Sequence, residues 1–134
     1  MAKIYKTCIF SLLLFLGGFG ALSAQECNII YVTPFGASSG PAGTRQNPAN
    51  LTYGLSLVNA ANSIIYLRAG TYNVSAPVNL VSGVKIYGGF NPLWEKTNGS
   101  ESIIVRDFFN VEANPSRLVA VQGNNISNFE LHDL

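Results

Sequence analysis

The stretch VSGVKIYGGF, residues 81–90, decides how this chain is expected to fold. Two apolar residues in it, Val84 and Ile86, alternate with more polar ones, which is the period-two pattern of a strand with one buried side. Two glycines follow, and glycine tolerates the positive φ values and close backbone approach that a sharp corner requires. We therefore predict a strand over residues 84–87 that ends at a glycine corner, with Phe90 turned inward.

Short strand patterns separated by turn residues continue through the chain. They lie at residues 28–33, 63–67, 78–80, 102–105, 117–121 and 126–131, with a turn predicted at Ala69-Gly70-Thr71-Tyr72 and an outward loop at 92–99. Apolar positions recur about every 20 to 25 residues, at Ile65, Ile86, Val105 and Phe129. That interval is typical of an all-β solenoid whose turns stack. The alternative is an antiparallel sandwich, although no Asn-Gly or Asp-Gly turn joins two well-patterned strands.

One helix is predicted before the repeated strands. Asn50 is a suitable N-cap, and apolar residues follow it at helical spacing, namely Leu51, Leu55, Val58 and Ala61. Gly54 weakens the helix and Asn62 ends it, which gives about three turns. The preceding residues 34–50 are rich in Gly, Pro, Ser and Asn and are predicted to be a loop.

Residues 1–24 have the order of features found in a secretory signal peptide. Lys3 and Lys6 precede a short apolar run over residues 8–19, and small residues at 21–24 supply a cleavage site. We therefore predict an exported protein, secreted or at the outer cell surface, with a mature domain over residues 25–134. An uncleaved anchor is the alternative, but the run is shorter than the ~20 residues that span a bilayer, and no membrane span is expected after cleavage.

The charge and cysteine content of the mature chain exclude two classes of protein. Removing Lys3 and Lys6 leaves six basic side chains against seven acidic ones, so no basic stripe remains for nucleic acid. Cys27 is the one cysteine left once Cys8 is removed, so a disulfide scaffold is excluded. Packing and hydrogen bonds must hold the domain together.

The candidate binding residues are concentrated in the segment NISNFELHDL, residues 125–134. If its apolar side chains point inward, alternation directs Asn128, Glu130 and His132 outward as one row on a strand face. We therefore treat this row as the candidate binding surface. The alternative is ordinary solvent exposure of polar side chains.

Two further residues offer aromatic rings for stacking on a sugar, Trp94 and Tyr87. The alternative for Trp94 is a loop anchor that packs onto the body of the protein. Other carboxylates are spread through predicted loops, at Glu95, Glu101, Asp107 and Glu112, as expected for solvated charges. No carboxylate pair or carboxylate cluster can be argued for, so we expect no catalytic residue, no metal and no cofactor in this chain.

The order of these features resembles a known family. A strand segment (IIYVTPFGASSGPAGT) leads through Asn47-Pro48 to a helix (LTYGLSLVNAAN), then SIIYLRAGTY, then SGVKIYGGF. This order, which covers residues 29–134, resembles the N-terminal cap and first coils of right-handed parallel β-helix proteins of the pectate-lyase-like superfamily. It is most similar to the large exported β-helix proteins of Gram-negative bacterial surfaces. The resemblance implies that the helix caps the solenoid and that the partners are polysaccharides or cell-surface glycans.

That superfamily includes polysaccharide lyases, hydrolases and adhesins, so the fold does not fix the function. We expect an exported module for adhesion or carbohydrate binding, without catalysis in this chain. The alternative is the N-terminal part of a polysaccharide lyase or other carbohydrate-active enzyme whose active coils lie beyond residue 134; a structural stalk is a third option. Because Leu134 follows a strand with no capping unit, residues 25–134 are expected to be the cap and first coils of a longer protein, or the product of a broken gene.

Overall fold

The computed structural model describes residues 28–109, 111–114 and 116–134, so the predicted signal peptide and Cys27 lie outside the described residues. The fold is all-β, as predicted, with a single short helix in the described part. The elements are β1 (Ile29–Ala37), α1 (Leu51–Ser56), β2 (Ile64–Arg68), β3 (Gly70–Val74), β4 (Val78–Asn79), β5 (Lys85–Phe90), β6 (Ser102–Arg106), β7 (Glu112–Ala113), β8 (Ser116–Arg117), β9 (Val121–Gln122) and β10 (Glu130–His132).

The larger sheets are built from parallel pairs. Strands β1, β2, β5 and β10 form a four-stranded sheet in that order. Strand β3 pairs with β6, and β4 pairs with β9, also in parallel. The chain therefore visits the same three sheets in the same order twice, first through β2, β3 and β4 and then through β5, β6 and β9. Of the strand pairs in the described residues only β7–β8 is antiparallel, so the antiparallel sandwich is wrong.

The core between the sheets contains a column of apolar side chains. Ile30, Ile65 and Ile86 occupy neighbouring register positions and are 3%, 0% and 1% exposed. Leu131 is the next member of this column, but it is 39% exposed because β10 is the last strand of the sheet. Burying each isoleucine contributes about 2 to 3 kcal/mol relative to an exposed side chain, so the column is a principal source of stability.

The predicted spacing grouped two positions wrongly with this column. Val105 lies in β6, which belongs to another sheet, and Phe129 lies outside β10. The true successor of Ile86 is Leu131, after a much longer interval. The reason is that the second passage carries two insertions, the loop at 91–101 and the β7–β8 hairpin, and a fixed period cannot anticipate insertions.

Helix α1 is much shorter than the predicted three turns. The Asn50 side chain caps it, accepting a hydrogen bond from the Tyr53 backbone N–H at 2.8 Å. It ends early because the Asn59 side chain accepts hydrogen bonds from the N–H groups of Ala61 and Asn62, which builds a local turn instead of another helical turn. Gly54 allows close packing on β1, since a Cβ there would lie 2.5 Å from a Val32 methyl.

The glycine pair of the opening stretch makes a bulge rather than the predicted corner. Strand β5 continues through both glycines, and the register shifts from Tyr66↔Tyr87 to Arg68↔Phe90, so β5 has one extra residue there. Gly89 has φ +75°. Phe90 therefore does not turn into the main core; it is buried in a second cluster with Tyr31 and Trp94.

Two other turn and strand predictions are corrected. The predicted turn at Ala69-Gly70-Thr71-Tyr72 is largely strand β3, because the chain bends within one residue at Ala69. The Tyr72 hydroxyl stabilises that bend by donating toward Arg68 O (2.7 Å) and Val32 O (3.2 Å). The strand predicted over residues 117–121 is split between β8 and β9.

Candidate functional site

The candidate site lies on the outer face, which we define as the side of the four-stranded sheet that carries Tyr31, Tyr66, Tyr87 and His132. These four residues occupy neighbouring register positions and form one row across the strands. Tyr66 meets Tyr31 and Tyr87 edge to face, with ring centroids 5.9 Å and 6.1 Å apart. Such aromatic pairs stabilise the pairing of adjacent strands.

His132 ends the row in a different geometry. Its ring lies flat on the Tyr87 ring, with centroids 4.8 Å apart and planes 8° apart. The His132 side chain is 50% exposed. It therefore presents an aromatic ring to solvent that is held in place by stacking.

A second row on the outer face supplies charge beside the rings. Lys85 and Glu130 occupy opposite register positions, and Lys85 Nζ donates to Glu130 Oε1 at 2.6 Å. The Tyr87 hydroxyl donates to Glu130 Oε2 at 3.1 Å, and His132 Nε2 lies 3.4 Å from the same oxygen. Glu130 thus connects a cation, a phenol and an imidazole.

These contacts shift the pKa values of Glu130, Lys85 and Tyr87. The hydrogen bonds from Lys85 and then Tyr87 lower the pKa of Glu130, so the carboxylate stays charged. The same hydrogen bond raises the pKa of Lys85. Burial, followed by the hydrogen bond to Glu130, raises the pKa of Tyr87, which keeps its hydroxyl protonated as a donor. At neutral pH the site therefore presents a fixed ion pair and the neutral hydroxyl of Tyr87.

The loop at residues 91–99 covers the other end of the outer face. Trp94 is 9% exposed and packs on Tyr31, with ring centroids 4.7 Å apart. The Arg68 guanidinium lies 4.8 Å from the Trp94 ring centroid. Lys96 donates to Gly88 O and pairs with Asp133, which ties the loop to the end of β10.

The structure brings two of the four predicted site residues together and separates the other two. Glu130 and His132 are on the outer face, as the alternation predicted. Asn128 is not: it has φ +57°, lies before β10 and turns the chain there. Trp94 occupies the packed position of a loop anchor, and most of its surface is covered. The binding role of each residue remains a prediction.

Tyr66 and Lys85 were not predicted to belong to the site, although a repeated three-residue pattern in the sequence indicates them. Four triplets share one pattern, Ile29-Ile30-Tyr31, Ile64-Ile65-Tyr66, Lys85-Ile86-Tyr87 and Glu130-Leu131-His132. Their middle residues form the core column, and their third residues form the aromatic row. Aligning these triplets would have predicted both the register and the outer face.

A second exposed aromatic lies away from the row. Phe35 is 98% exposed, at the rim of an open groove lined also by Thr33, Arg68, Thr71 and Asn73. This groove pairs one ring with hydroxyl and amide groups. It is therefore the natural comparison for the outer face in binding experiments.

Glu112, predicted to be a solvated loop charge, is instead paired. Its Oε1 lies 2.9 Å from Arg106 Nη2, and the Arg106 side chain is 5% exposed. Burial alone would raise the pKa of Glu112, but the hydrogen bond from Arg106 and backbone hydrogen bonds outweigh it and lower the pKa. The pair anchors the β7–β8 hairpin to the end of β6 and is structural.

A search of the described residues for a metal site or a membrane-spanning helix, and a search for related proteins, found none. In the described residues, no group of three or more His, Cys, Asp and Glu side chains is placed to hold a metal ion. No helix in the described part of the chain has the length and hydrophobicity needed to cross a bilayer. No family model, no curated protein and no solved structure matches the chain.

Proposed function

We propose that the chain is an exported parallel β-helix module of a secreted or cell-surface protein, and that its outer face binds carbohydrate without catalysis. The observation that supports the β-helix is the repeated visit to three parallel sheets in one order. In a solenoid, successive turns of the chain stack so that each turn adds one parallel strand to each sheet. Export is proposed from residues 1–24 alone.

The single observation that carries the binding proposal is the exposed His132 ring, stacked on Tyr87 beside the Glu130–Lys85 pair. Aromatic rings pack against the apolar faces of sugar rings, and a fixed carboxylate, ammonium and hydroxyl hydrogen-bond sugar hydroxyls. The groups are held by contacts within the sheet, so little side-chain entropy is lost on binding. A flat row across parallel strands suits an extended chain of sugars.

The test is binding of defined soluble oligosaccharides, neutral, uronate-containing and amino-sugar-containing, measured by calorimetry. We expect at least one class to bind and His132→Ala to weaken it about ten-fold, the value of one aromatic contact. Phe35→Ala is the matched control, since it removes an exposed ring elsewhere. Loss of binding in Phe35→Ala alone would move the site to the groove, and no binding by any class would overturn the proposal.

A further inference from the structure

A turn near the end of the loop between β5 and β6 contains the one Asn-Gly dipeptide of the chain, Asn98-Gly99. The Ser100 N–H donates to Thr97 O at 3.2 Å, and the hydroxyl oxygens of these two residues lie 2.6 Å apart. Gly99 has φ +80°, as the third residue of a type II turn requires. Both central residues of the turn are exposed, and a Cβ on Gly99 would meet no atom within 4 Å. Solvent therefore reaches the dipeptide freely.

The two groups of the dipeptide that can react with each other have no other partner. In the described residues, neither the Asn98 side chain nor the Gly99 N–H makes a hydrogen bond. The hydrogen bond that closes the turn uses the Ser100 N–H instead. Because glycine has no side chain, nothing blocks the approach to its nitrogen. The Gly99 nitrogen can therefore reach the side-chain carbonyl carbon of Asn98 once the single backbone hydrogen bond of the turn opens.

We propose that Asn98 is a modification site, at which the side-chain amide is converted to a carboxylate by deamidation without an enzyme. The Gly99 nitrogen loses its proton to hydroxide and forms a bond to Asn98 Cγ. The bond from Cγ to the side-chain nitrogen breaks, and this nitrogen takes a proton from water and leaves as ammonia. A five-membered cyclic imide remains. Water then opens the imide at either carbonyl and leaves aspartate or isoaspartate at position 98.

The hydrogen bonds of another asparagine show why the reaction is specific to this position. Asn59 also precedes a small residue, Ala60, but its side-chain oxygen accepts two backbone hydrogen bonds and its side-chain nitrogen donates to Leu57 O. A side chain held in this way cannot turn toward the next backbone nitrogen without losing these bonds. We therefore expect Asn98 to react and Asn59 to stay unmodified.

The modification changes both the charge and the main chain of the turn. A carboxylate replaces a neutral amide, and isoaspartate adds one carbon to the main chain, so the hydrogen bond from Ser100 to Thr97 cannot re-form in the same geometry. The carbonyl oxygen of Ser100 lies against the bulge of β5, since a Cβ on Gly89 would lie 2.5 Å from it. The modification therefore adds a negative charge to the loop and alters the turn that packs on this bulge.

The test is peptide mass spectrometry of the folded chain during incubation at 37 °C, which detects the mass gain of about 1 Da at position 98. A synthetic peptide of residues 95–102, incubated in parallel, gives the rate in the absence of the fold. We expect the folded chain to react no more than about ten-fold more slowly than the peptide, the factor that corresponds to opening one hydrogen bond. Because hydroxide removes the amide proton, the rate should rise about ten-fold for each pH unit.

Two variants at exposed positions separate the reacting groups. Gly99→Ala places a methyl group beside the attacking nitrogen and should slow the reaction at least about ten-fold. Asn98→Gln would have to form a larger ring and should show no mass gain at this position in the same time. Circular dichroism establishes that each variant is folded.

Three results would overturn the inference. The first is a folded chain that stays unmodified while the peptide reacts completely, and the second is a chain that reacts at Asn59 as fast as at Asn98. The third is a Gly99→Ala variant that reacts as fast as the unmodified chain. Because no sugar is present in these incubations, each result is independent of carbohydrate binding.

Discussion

Replacing Ser102 with alanine should destabilise this fold markedly, because one buried hydroxyl makes several hydrogen bonds there. Ser102 is fully buried at the start of β6. Its Oγ accepts a hydrogen bond from the Gly89 N–H at 3.0 Å and donates toward Leu67 O and Arg68 O at 3.2 Å and 3.1 Å. One hydroxyl thus connects the bulge in β5 with the end of β2.

The magnitude follows from the groups left behind. Alanine would leave the Gly89 N–H without its acceptor in a buried site, which costs about 1 to 3 kcal/mol, and would deprive two carbonyls of a shared donor. The lost hydroxyl leaves too little space for a water molecule to substitute. We therefore expect Ser102→Ala to lower the free energy of unfolding by about 2 to 3 kcal/mol and the Tm by roughly 10 °C.

Urea unfolding followed by the fluorescence of Trp94, the one tryptophan of the chain, measures this change directly. Ser75→Ala, at an exposed position, is the control and should change the unfolding free energy by less than ~0.5 kcal/mol. If Ser102→Ala proved as mild as the control, the bulge would not depend on this hydroxyl and the reasoning would be wrong.

Two other predictions concern the core column and the outer face. Ile65→Ala, in the middle of the column at 0% exposed, should cost about 3 to 4 kcal/mol in urea unfolding, whereas Leu131→Ala, at 39% exposed, should cost about 1 kcal/mol or less. Equal costs would contradict the column. The pKa of Glu130 is lowered in the folded state by Lys85 and Tyr87, so the stability it supplies is present above its unfolded pKa and is lost as pH falls through the lower, folded pKa. Stability measured from pH 7 down to about 3 should therefore fall less steeply in Glu130→Gln than in the unmodified chain, and identical slopes would exclude a folded-state role for this carboxylate.

The elements that could be predicted from sequence are those fixed by local alternation. The strand around Ile65 and the start of the strand around Ile86 were placed within one residue, because alternating buried and exposed side chains mark a strand, but β5 continues three residues beyond its predicted end. The inward and outward sides of the segment Glu130 to His132 followed from the same alternation. The all-β class needed no more than this pattern and the turn residues between strands.

The errors arose where the deciding partner is distant in sequence. Gly88 and Gly89 suggest a corner locally, yet a Cβ on Gly88 would lie 2.2 Å from the carbonyl oxygen of Asp133, and the Gly89 N–H needs Ser102. Neither contact can be inferred from the stretch itself. The packed position of Trp94 likewise depends on Tyr31 and Arg68, which belong to other strands.

The first residues of the four triplets explain why the candidate site lies at one end of the outer face. Ile29 and Ile64 are apolar and partly buried, and Ile29 packs against the cluster that contains Trp94. At the same register positions on β5 and β10 the chain instead has Lys85 and Glu130. The outer face therefore changes from apolar on β1 and β2 to charged on β5 and β10, and the rings change from packed edge contacts to the exposed His132 stack. A cross-strand ion pair can itself stabilise strand pairing, so the Lys85–Glu130 pair alone does not separate a structural role from a binding one. The exposed His132 ring is the feature that strand pairing does not require, and its substitution therefore tests the binding proposal most directly.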